Sequence, residues 1–105
     1  MENMFSNCYS LTKLDLSNFN TSNVKSMYHM FGNNESLIEL NLTGWNLIGA
    51  DMDYMFSECK SLTKLNITDW CISSCSKRYI FNSLDKGKIK IIASDQKIKE
   101  WLLYE

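Results

Sequence analysis

The sequence predicts an α/β fold in which copies of one unit stack into a short parallel sheet with helices on the opposite side, closed by an atypical strand and helix at the C-terminal end. Two observations carry that expectation. One apolar pattern occurs three times at spacings of 25 to 26 residues, and each copy changes period half-way along, from helical to strand-like. A third observation supplies the cap: after the third copy the pattern decays into an apolar run followed by an amphipathic tail.

The unit is Met1-x-x-Met4-Phe5-x-x-Cys8-x-x-Leu11-x-x-Leu14-x-Leu16. It returns as Met27, Met30, Phe31, Asn34, Leu37, Leu40 and Leu42, and again as Met52, Met55, Phe56, Cys59, Leu62, Leu65 and Ile67. An aromatic closes each copy at Phe19, Trp45 and Trp70. In the first half, Val24, Met27, Met30, Phe31 and Asn34 fall at helical spacing, with Thr21-Ser22-Asn23 as a natural N-cap. In the second half, L-x-x-L-x-L alternates apolar and polar side chains, as a strand with one buried face does. One unit cannot bury its own apolar stripe. Stacking lets Leu14, Leu40 and Leu65 form one ladder and Leu16, Leu42 and Ile67 a second, with the strands pairing in parallel. Cys8 and Cys59 share the repeat position of Asn34 and are expected on the core side as small apolar groups.

A fourth copy begins at Ile80-Phe81 but carries Lys77 where the methionine belongs. Lys88–Ala93 then reads as a final strand, and Ser94-Asp95 as the cap of a short helix that packs Ile98, Trp101, Leu102 and Tyr104. The organisation expected is therefore one domain, with repeats over residues 1–79 and the degenerate copy and cap over 80–105. Terminal repeats must cover an open core edge with something atypical, and this segment suits that task.

Composition narrows the function classes. The chain has 105 residues, 45% hydrophobic and 22% charged, with a net charge of −1. That balance argues against direct nucleic-acid binding through bulk positive charge and against a nucleic-acid mimic. No apolar run approaches the ~20 residues of a membrane span, so insertion is not expected. MENMFSNCYS lacks a basic start and an apolar stretch, so no secretion signal is visible. The cysteines at 8, 59, 71 and 75 permit disulfides only in an oxidising compartment, and C-I-S-S-C over Cys71–Cys75 stands outside the repeat. A structural zinc site wants four ligands, and the one histidine, His29, lies inside the repeat, so neither metal nor cofactor is expected. No glycine-rich phosphate loop or cysteine–histidine spacing suggests catalysis, and the protein is expected not to be an enzyme.

The strings MFSNCYSLTKLDLSNFNTSNV and MFSECKSLTKLNITDW resemble the BspA-type leucine-rich repeat of bacterial surface proteins, which also has phage-encoded relatives. The resemblance covers residues 1 to about 70. It implies a leucine-rich-repeat solenoid that binds another protein, and it brings no catalytic residues. Surface or secreted location follows if the chain is part of a longer protein, and a cytoplasmic one if Met1 is the native start.

In a strand reading L-x-L the intervening side chains point away from the core. Lys13, Glu39 and Lys64 should form one exposed row, and Asp15, Asn41 and Asn66 the next, with Ser17, Thr43 and Thr68 beyond them. These six residues of the first two rows are the candidate protein-binding face, against the alternative of solvated ladders with weak Lys–Glu–Lys pairing. Trp45 and Trp70 are secondary candidates, set against a repeated packing role. Tyr28 and Tyr54, with Tyr9, lie outside the main ladders and are further secondary candidates. The leading expectation is a binding module of the bacterial surface type. The alternative is a small intracellular inhibitor, phage-encoded and anti-defence in type, that blocks a protein surface of a host complex. A component of a larger assembly is a third reading. The N-terminal repeat edge also invites self-association.

Overall fold

The computed structural model describes residues 2–8, 10–17 and 19–104. Among the described residues it is a small α/β structure with four three-residue strands: β1 (Lys13–Asp15), β2 (Glu39–Asn41), β3 (Lys64–Asn66) and β4 (Lys90–Ile92). They form one parallel sheet in the order β1-β2-β3-β4, and one helix, α1 (Gln96–Leu103), follows. Each copy of the sequence unit contributes one strand. The pairing aligns Leu14, Leu40, Leu65 and Ile91, so equivalent residues of successive copies are direct neighbours. Leu40 and Leu65 are buried on the inner face, and Leu16, Leu42 and Ile67 are buried beside them, as the alternating pattern requires.

The strands are short because the residue that ends each one turns the chain. Asp15 Oδ1 accepts the backbone N–H of Ser17 at 2.9 Å, Asn41 Oδ1 that of Thr43 at 3.1 Å, and Asn66 Oδ1 that of Thr68 at 3.0 Å. A short side-chain acceptor that captures the amide two residues on closes an Asx turn.

Opposite the sheet the helices expected over 24–34 and its equivalent are absent, and the segments 28–33 and 53–58 are runs of tight turns. Their N–H groups alternate between two kinds of partner. Met30, Gly32 and Leu37 donate within their own copy, to the carbonyls of Met27, His29 and Asn34. Met27, His29, Phe31 and Asn33 donate to Asp51, Asp53, Met55 and Ser57 of the next copy. The same alternation recurs one copy later, where Met52, Tyr54, Phe56 and Glu58 donate to Ser76, Arg78, Ile80 and Asn82. An α-helix would spend every amide on its own carbonyl four residues back. Here half of them join neighbouring copies, and the apolar side chains still point inward at three- and four-residue intervals. The turns close through left-handed residues at equivalent places, His29, Tyr54 and Tyr79 in one set and Asn33, Glu58 and Ser83 in another. Thr21 caps no helix; it is buried, and its Oγ1 accepts the Asn46 N–H at 2.9 Å, joining two copies.

The C-terminal segment follows its expectation closely. The final strand is the central part of the expected run, preceded by a 3-10 turn, Lys86–Lys88. Asp95 caps α1 by accepting the Lys97 N–H at 2.8 Å, and Leu102 is buried with Ile98 and Trp101 partly so. Tyr104 is a correction: it is the C-cap, 67% exposed, and packs on nothing in the core. Lys86 and Lys77 donate to the carbonyls of Leu103 and Tyr104 at 2.8 and 3.2 Å, so cations satisfy orphan acceptors where the helix dipole is negative. Lys77 Nζ also lies 5.3 Å from the Trp101 ring centre. The lysine that replaces the repeat methionine thus serves the cap.

Candidate functional site

The sheet carries its outward residues in register. Lys13 pairs with Glu39, Glu39 with Lys64, and Lys64 with Lys90, while Asp15, Asn41, Asn66 and Ile92 form the parallel row two residues on. Lys13 and Lys64 are exposed and Glu39 half-buried. Between the rows lies an open depression of about 400 Å³, lined by the six candidate residues together with Leu14 and Leu40. All six sequence-derived residues of the strand face are therefore brought together. Lys90 was missed. The K-I-I of the last strand occupies the place of K-L-D and K-L-N in the earlier copies, and aligning them would have extended the row.

The two rows differ in what they are free to do. In the second row the side-chain oxygens are committed to the chain itself: Asn41 and Asn66 each also accept a threonine hydroxyl at 2.6 Å. The Ser17 hydroxyl and amide hold the Asp15 carboxyl below the usual carboxylate range, against a small opposing desolvation. In the first row no ion pair forms: among the described residues the salt bridges are Lys60–Glu58 and Arg78–Asp53. Lys13, Glu39 and Lys64 stand beside one another on a rigid sheet without pairing.

Trp45 and Trp70 belong to the interior, which corrects their standing as contact candidates. They are 0% and 4% exposed. Each indole N–H donates across to the preceding copy, Trp45 to the Leu16 carbonyl and Trp70 to that of Leu42, both at 2.9 Å. A buried indole needs such an acceptor. Tyr28 is exposed and Tyr54 half-buried, on the turn side, away from the strand rows. They meet edge to face at 5.7 Å, and Tyr54 stacks on exposed Tyr79 at 5.2 Å. Tyr9 lies outside the described residues.

Residues 1–101 match the model of a family described as "Mycoplasma protein of unknown function, DUF285". The chain belongs to this family. No curated protein and no solved structure matches it.

Three polar positions in this DUF285 chain carry more structure than their sequence neighbours suggest. Asn34 is fully buried: its amide donates to the carbonyls of Phe5 and Phe31 at 2.6 and 2.7 Å, and its oxygen accepts the Cys8 N–H at 3.0 Å. Cys59, at the same repeat position, donates its thiol to the Phe31 carbonyl at 2.9 Å, and burial pushes its pKa up to about 12. Both are core-side as expected, and both act as donors into the preceding copy. Asp53 is 5% exposed and was not anticipated. Burial alone would raise its pKa, but hydrogen bonds from the Ser76 hydroxyl, the Arg78 amide at 2.7 Å and the Arg78 guanidinium win, and the carboxyl lies below its usual range. No sequence signal marks it, because Tyr28 holds the equivalent place one copy earlier. All four cysteines are free thiols, with Cys71 exposed and Cys75 half-buried. Among the described residues no three His, Cys, Asp or Glu side chains gather as a metal-holding group, and no helix is long and apolar enough to cross a membrane.

Proposed function

We propose that the chain is a non-catalytic protein-binding module, a short solenoid of BspA-type leucine-rich repeats that engages its partner through the strand face. The observation that carries the reading is the unpaired row of Lys13, Glu39 and Lys64, held in register beside a depression of about 400 Å³. Charges on flexible side chains lose much of any binding gain to ordering and desolvation. Here the strands at least fix the spacing and order from which the three charges rise, so a partner of opposite pattern meets them in register. The mixed sign suits a protein better than a polyanion. Two buried groups that could carry chemistry are tied into the fold: the Cys59 thiol donates to the Phe31 carbonyl, and Asp53 is held by Ser76 and Arg78.

Lysine positions allow a direct test. Lys13, Lys64 and Lys90 lie on the strand face, whereas Lys77, Lys86 and Lys97 belong to the fourth copy and cap. Affinity capture followed by amine-reactive cross-linking should join the partner to the first set. Cross-links confined to the second set would move the site to the cap and overturn the assignment.

A further inference from the structure

We propose that the strand face is shaped for one class of partner surface: an α-helix that bears acidic, basic, acidic and acidic side chains at i, i+3, i+7 and i+10, read from β1 to β4. The inference rests on the strand-face reading and deepens it by naming what lies across the row. Lys13, Glu39, Lys64 and Lys90 are cross-strand neighbours, giving the sign order plus, minus, plus, plus. Strands sit ~4.8 Å apart, so four rungs span about 14 Å. A helix rises 1.5 Å per residue and presents i, i+3, i+7 and i+10 on one face over about 15 Å. An extended peptide repeats on one face every ~6.7 Å and loses register with the rungs by the third.

Charge selects the occupant further. Lys64 and Lys90 are direct neighbours of like sign, and neither forms an ion pair among the described residues. Like charges directly opposite destabilise a sheet, and a carboxylate laid across both removes that penalty. A second copy of this chain fits poorly: the row laid antiparallel on itself sets lysine against lysine at both ends, and laid parallel it opposes like charges throughout. A polyanion meets Glu39 in the middle of the row and Asp15 beside it.

The test uses stapled, terminally capped peptides of about 14 residues, titrated with the full chain by fluorescence anisotropy at low salt. One carries the proposed order in both chain directions, one the same charges in scrambled order, and one four carboxylates at the same positions. The proposed order should bind at least about tenfold tighter than the scramble and lose affinity as salt rises. Glu39→Lys should transfer the preference to the four-carboxylate peptide. As an independent check, Lys64→Glu should favour a peptide with its third charge inverted. Equal binding of ordered and scrambled peptides, tighter binding of the four-carboxylate peptide to the unaltered chain, or no binding of the ordered peptide up to about 1 mM would each overturn the inference. Cross-links from a captured partner at Lys13 and Lys64, alongside such a failure, would leave the strand-face reading standing and remove only the helix. Cross-links confined to the cap would remove both.

Discussion

The first and third copies are nearly the same sequence, MFSNCYSLTKLDL against MFSECKSLTKLNI, yet they occupy different environments. Met55 and Phe56 are completely buried, while Met4 is 52% exposed and Phe5 only half-buried. The closing aromatics differ likewise, with Trp70 at 4% and Phe19 at 39%. Identical side chains reach such different burial because each copy is covered by its neighbours and hardly at all by itself. Phe31 stacks on Phe5 at 5.7 Å on one side and on Phe56 at 5.8 Å on the other, and Phe56 continues to Phe81 at 5.6 Å. Stability in such an arrangement is a sum of contacts between adjacent copies. The polar residues obey the same logic. Asn34, Cys59, Trp45 and Trp70 all donate backwards into the preceding copy, and the first copy holds Cys8 and Phe19 in those places.

The sharpest way to break this comparison is to make the same truncation in both copies. Phe56→Ala should cost about 3–5 kcal/mol, as a fully enclosed aromatic does, and Phe5→Ala about 1–2 kcal/mol because the site is half-open. Equal losses in urea denaturation would mean that neighbours do not set burial. Next in size is the donor position. Asn34→Ala strands the Cys8 amide and the Phe5 carbonyl and should destabilise by about 2–3 kcal/mol, whereas Cys8→Ala should change stability by less than about 1 kcal/mol.

A pH titration separates the copies in another way. The Asp53 pKa is lowered in the folded state, so its contribution is present above the unfolded carboxylate value of ~3.9 and is lost as pH falls through the lower folded value. Asp53→Asn should therefore lower stability at neutral pH by about 1–3 kcal/mol and flatten the acid limb of the stability profile. An acid limb identical to that of the parent chain would assign the shift to another group. The smallest effect concerns the turns. Asn33 has φ 60°, where a side chain costs about 1 kcal/mol relative to glycine, so Asn33→Gly should be more stable than Asn33→Ala by about that amount. A helix would reverse the order.

That reversal marks where the sequence was legible and where it was not. The strand half was readable to the residue, since L-x-L has one interpretation on a sheet and fixed both the Leu14–Leu40–Leu65 ladder and the outward rows. The turn half was misleading because spacings of three and four are shared by a helix and by chained turns whose apolar side chains point inward. The discriminating signal is backbone handedness. His29, Asn33, Gly44 and Gly49 show it in the second copy, all residue types that tolerate positive φ. In the third copy Asp69 keeps such a type, but Tyr54, Glu58 and Ser74 hold the other equivalent places and conceal the signal. Of the candidate site, the rows were legible and the two tryptophans were not settled by type alone, because an indole serves equally as a hot spot or as a buried donor. Only the Leu16 and Leu42 carbonyls decide that question.

A charged row that serves a partner and does little for the fold can be removed without loss of stability. The most direct test is the triple variant Lys13→Ala, Glu39→Ala, Lys64→Ala, followed in parallel by thermal denaturation and partner capture. With no ion pair among the three side chains, the Tm should stay within about 2–3 °C of the parent, since exposed charges contribute little, and capture should be lost. Capture that survives at an unchanged Tm would contradict the strand-face account, and a large fall in Tm would show that the row belongs to the fold.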